Sequence, residues 1–186
     1  VIQVHTYNNM ALNLAIDLSK KVKQQLAQQL GDLQKVYPAY SWVDQDQYHI
    51  PIHFFAPHHK KETVIQKIKD ALYDQESLYL YASHLDLFMT NQIMIYVHFR
   101  REKILEAIAE KIQDAFSLEQ KKFIPHITVS RSSTSSKQQY FLLQKKLDRT
   151  NIDFEFKVSE LILFDSVQTI KKNSFHKIET IPLQDS

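Results

Sequence analysis

Hydrophobic side chains alternate with other residues along two short stretches that lie far apart in the chain. In residues 48–55, three apolar side chains alternate with two histidines and a proline, and in residues 123–131 Ile127 and Val129 alternate with polar residues. Strict alternation is typical of a β-strand that packs one face against a core and leaves the other face open. Both stretches are therefore predicted to be strands with one open face.

Apolar residues recur every three or four positions in other stretches, a pattern typical of amphipathic helices. Helices are predicted at about residues 20–33, 61–73, 101–116 and 138–147. Ser19 is in position to cap the first of them. Gly31 falls inside that helix, and a glycine is a residue at which a helix can end or bend.

Further strands are predicted from apolar and β-branched runs bounded by turn residues. They cover about residues 12–18, 40–43, 78–82, 85–89, 92–99, 154–158, 161–164 and 175–183, with Thr90-Asn91 as a hairpin turn. The order of strands and helices resembles two similar halves, in which the two alternating strands occupy comparable places. This order predicts an α+β protein with two lobes, each a mostly antiparallel sheet with outer helices, and a groove between them.

The composition excludes several kinds of functional site. The chain has no cysteine, which excludes disulfides, thiolate metal sites and a cysteine nucleophile. It has one glycine, Gly31, which excludes glycine-rich phosphate loops because those need several glycines for close backbone approach. If phosphate is bound, side chains must hold most of it.

Length and charge give further limits. A chain of 186 residues can bury a good core as one unit, and we expect an N-terminal extension at residues 1–9 followed by a single domain at residues 10–186. A formal net charge of +2 does not indicate a nucleic-acid binder by itself, and it does not exclude local basic patches. We expect a cytoplasmic protein, since cysteine is absent and no apolar run approaches the roughly 18 residues that span a membrane.

The open faces of the two alternating strands carry candidate chemistry. Because side chains alternate along a strand, His126 and Thr128 point the same way, as do His49, Pro51 and His53. An imidazole titrates near neutral pH, and a hydroxyl can donate a hydrogen bond to a substrate oxygen. Two such strands could face each other across a cleft and divide acid and base work, which suits chemistry on an oxyanion such as phosphate.

Both stretches resemble the motifs of a known family. Residues 125–131 read Pro-His-Ile-Thr-Val-Ser-Arg, which is similar to the second His-x-Thr-x motif of the two-histidine (2H) phosphoesterases, in the branch called RNA 2′,3′-cyclic phosphodiesterases or 2′-5′ RNA ligases. The first motif of that branch reads His-x-Thr-x-(Lys or His)-Phe, and residues 49–54 read His-Ile-Pro-Ile-His-Phe. The resemblance covers nearly the whole chain from about Met10, and it implies a bilobed 2H phosphoesterase-like fold.

The resemblance implies an enzyme without metal or cofactor that opens a 2′,3′-cyclic phosphate at RNA or nucleotide ends and leaves a 2′-phosphate. It implies that His49 and His126 are the catalytic pair and that Thr128 contacts the phosphate. We expect His126 to activate water and His49 to protonate the leaving 3′ oxygen, although the sequence alone does not distinguish these roles. We expect a monomer whose partner is RNA or a nucleotide, with no membrane association.

Pro51 departs from the family pattern, which has a threonine at that position. Proline offers neither a hydroxyl nor a backbone N–H, and inside a strand it indicates an edge, a bulge or a bend. Losing one oxyanion donor can cost on the order of 10²–10³ in rate. His53, expected on the same face as His49, is a candidate replacement donor.

Three other residues near the two motifs are candidates with competing interpretations. Arg131 is a candidate for a charged phosphate contact, but strict alternation puts Ser130 on the reactive face instead, so Arg131 contributes only if the strand ends or twists. Phe175 lies near where relatives often carry an aromatic by the site, and either base stacking or a core role fits it.

The sequence leaves alternative functions open. Intact His49 and His126 favour an enzyme, whereas Pro51 favours a non-catalytic relative that binds RNA ends. A third hypothesis keeps catalysis and changes the substrate to 2′-5′-linked oligonucleotides or another cyclic phosphate.

Overall fold

The computed structural model describes residues 10–89, 92–133, 136–168 and 173–185. The expected extension at residues 1–9 and the hairpin turn at Thr90-Asn91 lie outside these ranges. The strands are β1 (Met10–Asp17), β2 (Ser41–Trp42), β3 (His49–Phe54), β4 (Leu78–Met89), β5 (Gln92–Phe99), β6 (His126–Ser133), β7 (Glu155–Val158), β8 (Glu160–Gln168) and β9 (Asn173–Pro182). The helices are α1 (Lys20–Val36), α2 (Lys61–Ala71), α3 (Lys103–Ala115) and α4 (Lys137–Leu147), with a short 3₁₀ turn at Gln45–Gln47.

The strands form two antiparallel sheets, which confirms the predicted bilobed α+β architecture. One sheet has four strands in the order β3-β1-β8-β9, and the other has five in the order β2-β6-β5-β4-β7. The two histidine strands, β3 and β6, belong to different sheets and lie against each other. The predicted groove between the lobes therefore forms where these two strands meet.

The helices follow the predicted periodicity. In α1 the buried side chains are Val22, Leu26, Leu30 and Leu33, and the Ser19 hydroxyl accepts a hydrogen bond from the backbone N–H of Val22. The helix does not end at its glycine but continues to Val36, because its apolar stripe continues past that point. No helix in the described ranges is long and apolar enough to cross a lipid bilayer.

The two strands predicted at residues 78–82 and 85–89 are one continuous strand, β4. Its pairing with β5 shifts register between Ala82 and His84, which leaves Ser83 as an extra residue. Ala82 and Leu85 are both buried although they are three residues apart, and a regular strand would place them on opposite faces. The bulge lets both side chains reach the core.

The first sheet buries apolar side chains on both of its faces. One face contributes Leu14, Ile16 and Ile50 to the main core, which also receives the buried side chains of the helices and of the second sheet. The other face carries a small separate cluster of Ala15, Ile162 and Phe164, with Phe175 packed against it. His49 lies beside this small cluster, with its ring centroid 6.3 Å from that of Phe164.

Candidate active site

A β-bulge in β6 decides which side chains face the groove. Val129 has no partner in β5, whereas Thr128 and Ser130 on either side of it are paired. One extra residue reverses the faces of the side chains that follow it. Arg131 therefore lines the same cleft as His126 and Thr128. From the sequence, Arg131 is expected to contribute only if the strand ends or twists, and the bulge is the irregularity that turns its side chain to the cleft.

Ser130 is turned away from the cleft by the same bulge. Its side chain is 0% exposed, and its hydroxyl donates a hydrogen bond to the backbone carbonyl of Ser41 at 3.3 Å. The expectation that Ser130 lies on the reactive face is therefore wrong, because strict alternation does not extend past the unpaired residue.

A matching bulge lies in β3. Ile52 has no partner in β1, whereas Pro51 and His53 on either side of it are paired. His49 and Pro51 line the cleft, and past the bulge Phe54 lines it in place of His53. The expectation that His53 shares the face of His49 is therefore wrong, for the same physical reason as for Ser130.

His53 contacts aromatic and basic neighbours outside the cleft. Its ring lies edge-on to Phe55, with centroids 4.8 Å apart. Burial lowers the pKa of His53, and the nearby His59 lowers it further. His53 lines a groove that adjoins the cleft, so it is not placed to supply the hydrogen-bond donor that position 51 lacks.

The cleft between β3 and β6 has a volume of about 240 Å³. Its lining includes His49, Pro51 and Phe54 from one sheet and His126, Thr128 and Arg131 from the other. Within the described ranges, no group of three or more His, Asp or Glu side chains is arranged to hold a metal ion. Among the described residues, the titratable and charged side chains that line the cleft are the two imidazoles and the guanidinium.

Both imidazoles are held in the same way. The Nδ1 of His49 lies 2.7 Å from the carbonyl oxygen of Gln47, and the Nδ1 of His126 lies 2.8 Å from that of Ile124. A carbonyl can only accept a hydrogen bond, so each Nδ1 carries the proton and each Nε2 has a free lone pair when the ring is neutral. In each strand the orienting carbonyl belongs to the residue two positions before the histidine.

His49 has a second polar contact below the cleft. The amide Nδ2 of Asn13 lies 3.5 Å from the His49 Nε2, and the Asn13 side chain is completely buried. The Asn13 Oδ1 has no hydrogen-bond partner among the described residues. A buried amide of this kind can donate to the neutral ring and, after rotating, can accept from the protonated one.

Burial is the main influence on His49 and lowers its pKa, because the charged ring loses hydration. The hydrogen bond to Gln47 and the carboxylate of Asp17 oppose that shift. Lys23 and His126 add positive charge nearby and lower the pKa further. His49 is therefore neutral at neutral pH and can accept a proton on Nε2.

Aromatic rings flank both imidazoles. His49 lies edge-on to Phe175 with centroids 4.8 Å apart, and Phe175 also lines the cleft. His126 lies edge-on to Phe88 at 5.9 Å and to Tyr96 at 5.7 Å. Phe175 packs on the small apolar cluster, as its core interpretation predicted, and it also lies at the cleft wall. Its role in base stacking stays a prediction.

Thr128 keeps its hydroxyl available for a ligand. Its Oγ1 donates to the sulfur of Met94 at 3.5 Å, and a thioether is a weak acceptor. A phosphate oxygen would be a stronger acceptor for the same proton. With Arg131 in the same cleft, β6 presents an uncharged donor and a cation to an anion.

Sequence reasoning missed several residues of this site, among them Asn13 and Phe54. Asn13 is a polar residue within an apolar strand, and that is the signal that could have indicated it. Phe54 was expected on the packed face of its strand and lies instead at the cleft, because of the bulge at Ile52.

Comparison with known proteins gives one family and a set of similar folds. Residues 20–169 match the model of the 2′-5′ RNA ligase superfamily. No curated protein matches the chain. Because the family model spans most of the chain, the match establishes the family.

Solved structures with the same fold include three named proteins. E. coli LigT in its apo form is 18% identical with a TM-score of 0.73, over 94% of this chain and 97% of that one. TT0787 of Thermus thermophilus is 18% identical with a TM-score of 0.68, over 94% and 98%. Usb1 of Kluyveromyces marxianus is 12% identical with a TM-score of 0.57, over 95% and 99%.

E. coli LigT has also been solved in complexes with 3′-AMP and with phosphate. At these identities the structural matches show the fold alone, and the family rests on the sequence model. The sequence model and the two histidine motifs in one cleft place this chain in the 2′-5′ RNA ligase superfamily, among the 2H phosphoesterases, and the structural matches agree in fold.

Proposed function

We propose that this protein hydrolyses a 2′,3′-cyclic phosphate at the end of RNA or of a nucleotide and leaves a 2′-phosphate. The observation that carries the proposal is the paired orientation of His49 and His126, whose Nδ1 atoms donate to backbone carbonyls while both rings line one cleft. Two Nε2 atoms in one cleft with Thr128 and Arg131 suit acid–base chemistry on a phosphodiester when one ring is neutral and the other is protonated.

In the proposed reaction, one imidazole removes a proton from water as the water oxygen bonds to phosphorus. The bond from phosphorus to the 3′ oxygen breaks, and the other imidazole, which starts protonated on Nε2, gives that oxygen its proton. Proton exchange with solvent then restores both rings. Burial lowers the pKa of His49 and keeps its ring neutral, which favours His49 as the base. His126 is then the acid, which is the reverse of the assignment expected from the sequence.

In this proposal, β6 supplies the side chains that bind the phosphate. The Thr128 hydroxyl and the Arg131 guanidinium would hold non-bridging oxygens, as neutral and charge-assisted donors do in other anion sites. Pro51 supplies no donor from β3. We therefore expect slow turnover compared with an enzyme that has donors on both sides.

The test is hydrolysis of 2′,3′-cyclic AMP in the presence of EDTA by the wild type, His49→Ala and His126→Ala. Each variant should lose about 10²–10⁴ in rate, the usual contribution of a positioned acid or base. His176→Ala removes an exposed imidazole outside the cleft and should retain full activity. Turnover that survives in either cleft variant, or a 3′-phosphate product, would contradict the proposal.

Pro51 favours a second candidate function, binding of RNA ends without turnover. It rests on the missing donor in a cleft that is otherwise complete. EDTA-insensitive binding of an RNA with a cyclic phosphate end, together with no hydrolysis of that RNA or of a 2′-5′-linked oligonucleotide, would support the binder over the enzyme.

A further inference from the structure

A second groove continues from the cleft on the side of β4 and of the segment before β6. Its volume is about 470 Å³, larger than the 240 Å³ of the cleft. We call it the Phe54 groove: its apolar walls are Phe54, Phe88, Phe123 and Ile124, and Lys121 and Lys122 lie at its rim. This combination of apolar walls and a few charged groups is typical of ligand sites.

Two of these apolar side chains are unusually accessible. Phe54 is 57% exposed and Ile124 is 39% exposed, although both are large hydrophobic residues. Single exposed apolar residues are common on protein surfaces, but these two line the same groove beside a candidate active site. An aromatic face open to solvent in this position is a surface on which a nucleobase can stack.

The groove and the cleft are continuous. Pro51, Phe54 and His126 line both of them. A nucleotide whose phosphate lies beside His126 therefore has the Phe54 groove as its immediate neighbour. A 2′,3′-cyclic phosphate occupies the 3′ end of an RNA, so the rest of the chain can leave the cleft only from its 5′ side.

The rim carries positive charge where a strand would leave the cleft. Lys121 and Lys122 are exposed, and Lys121 pairs with the exposed Glu119 at 3.3 Å. Glu119 also lines the groove, but an exposed ion pair of this kind contributes little and can exchange for a phosphate. Lys122 lies near the Glu106 carboxylate, which is already paired with Arg101 at 2.8 Å. Both ammonium groups are exposed and can reach a phosphodiester in the groove.

The segment that forms this wall is ordered by its own hydrogen bonds. After α3, the N–H of Leu118 donates to the carbonyl of Gln113 at 2.8 Å, which closes the helix end. The Gln113 side chain then binds Lys121 twice, accepting from its N–H and donating to its carbonyl. The same segment supplies the Ile124 carbonyl that orients His126, so groove and imidazole share one support.

We propose that the Phe54 groove binds the nucleotide immediately 5′ of the reacting end, with its base against the aromatic walls and its phosphate beside Lys121 and Lys122. The inference rests on the proposed hydrolysis and deepens it, because it identifies the substrate as an RNA chain instead of a cyclic mononucleotide. A dinucleotide fills both the cleft and the groove, whereas 2′,3′-cyclic AMP fills the cleft alone.

The test compares kcat/KM for the dinucleotide ApA with a 2′,3′-cyclic phosphate against that for 2′,3′-cyclic AMP. The wild type should prefer the dinucleotide by about tenfold or more, the gain expected for one stacked base. Lys121→Ala/Lys122→Ala should reduce this ratio severalfold, because the phosphate contact is lost while the base can still stack, and should reduce the salt dependence of the dinucleotide reaction. Lys145→Ala/Lys146→Ala removes the same charge from α4, outside the groove, and should retain the preference.

Equal wild-type rates on the two substrates, or a preference that is undiminished in Lys121→Ala/Lys122→Ala, would overturn the inference while leaving the hydrolysis intact. If neither substrate is hydrolysed, the proposed function fails and the groove is tested by binding. Fluorescence anisotropy of a labelled RNA with a cyclic phosphate end should then show weaker binding to the Lys121/Lys122 variant than to the Lys145/Lys146 variant, and equal binding would overturn it.

Discussion

Pro51 and Thr128 occupy equivalent positions on the two sides of the cleft. Each lies two residues after a cleft histidine and directly before an unpaired bulge residue. Phe54 and Arg131 are also equivalent, because each lies two residues after the unpaired bulge residue of its strand, and both line the cleft. The β6 side of the cleft thus presents a hydroxyl and a guanidinium where the β3 side presents a proline and a phenyl ring.

This asymmetry predicts that Pro51→Thr increases activity. β3 is an edge strand, so a threonine and its restored N–H can be accommodated there. A donor facing Thr128 should raise kcat/KM on 2′,3′-cyclic AMP at least about tenfold, a fraction of the 10²–10³ that one oxyanion donor can contribute. Steady-state kinetics beside Pro51→Ala, which restores only the N–H, provides the control. Equal rates in the two variants would show that the hydroxyl is not what the cleft lacks.

The bulge at Val129 predicts opposite effects for two adjacent residues. Arg131→Ala should raise KM for the cyclic phosphate about tenfold or more, because a cation in the cleft is lost. Ser130→Ala should leave kinetics unchanged and destabilise the fold by about 1 kcal/mol, because it removes a buried hydrogen bond to Ser41. Kinetics and urea unfolding of both variants separate the two roles. A kinetic defect in Ser130→Ala alone would argue against this register.

The surroundings of His49 predict its titration. Burial lowers its pKa, so NMR should show the ring neutral at pH 7 and titrating below the usual value of about 6.5. Asn13→Asp puts a carboxylate beside Nε2, which favours the protonated ring and should raise the pKa of His49. If His49 is the base, the acid limb of the rate profile moves to higher pH by the same amount.

Asn13→Leu is the control for that experiment, because it removes the amide without adding charge. Its effect on the His49 titration should be smaller than that of Asn13→Asp. A His49 ring that titrates identically in all three proteins would mean that the 3.5 Å contact has no influence on its protonation.

Gly31→Ala should stabilise the protein. The residue lies in the interior of α1, and a Cβ built there meets no atom within 4 Å. Alanine in a helix interior is favoured over glycine by roughly 0.5–1 kcal/mol, because less backbone entropy is lost on folding. Thermal unfolding should show Tm higher by about 1–4 °C. A lower Tm would mean that α1 needs the flexibility of glycine at this position.

Most elements of the fold could be predicted from the sequence because their signals are local. The apolar stripe that predicts α1 spans a few helical turns, and the alternation that predicts the histidine strands spans a few residues. The prediction that divided β4 into two strands was wrong because the bulge at Ser83 interrupts alternation without interrupting pairing. Only the pairing with β5 on both sides of the bulge shows that β4 is one continuous strand.

The sequence predicted correctly those site residues that precede the bulge in each histidine strand. His49, His126 and Thr128 come before the bulges, and alternation places them correctly. His53 and Ser130 come after the bulges, and alternation places both on the wrong face.

By itself, the sequence determined the helices, most strands, the two histidine motifs and the resemblance to a phosphoesterase family, since these depend on residue type and short-range spacing. Only the tertiary structure decided that Arg131 and Phe54 face the cleft and that Asn13 touches His49. The reason is physical: a strand's faces alternate only while every residue is paired, and pairing is set by β1 and β5, which are distant in sequence.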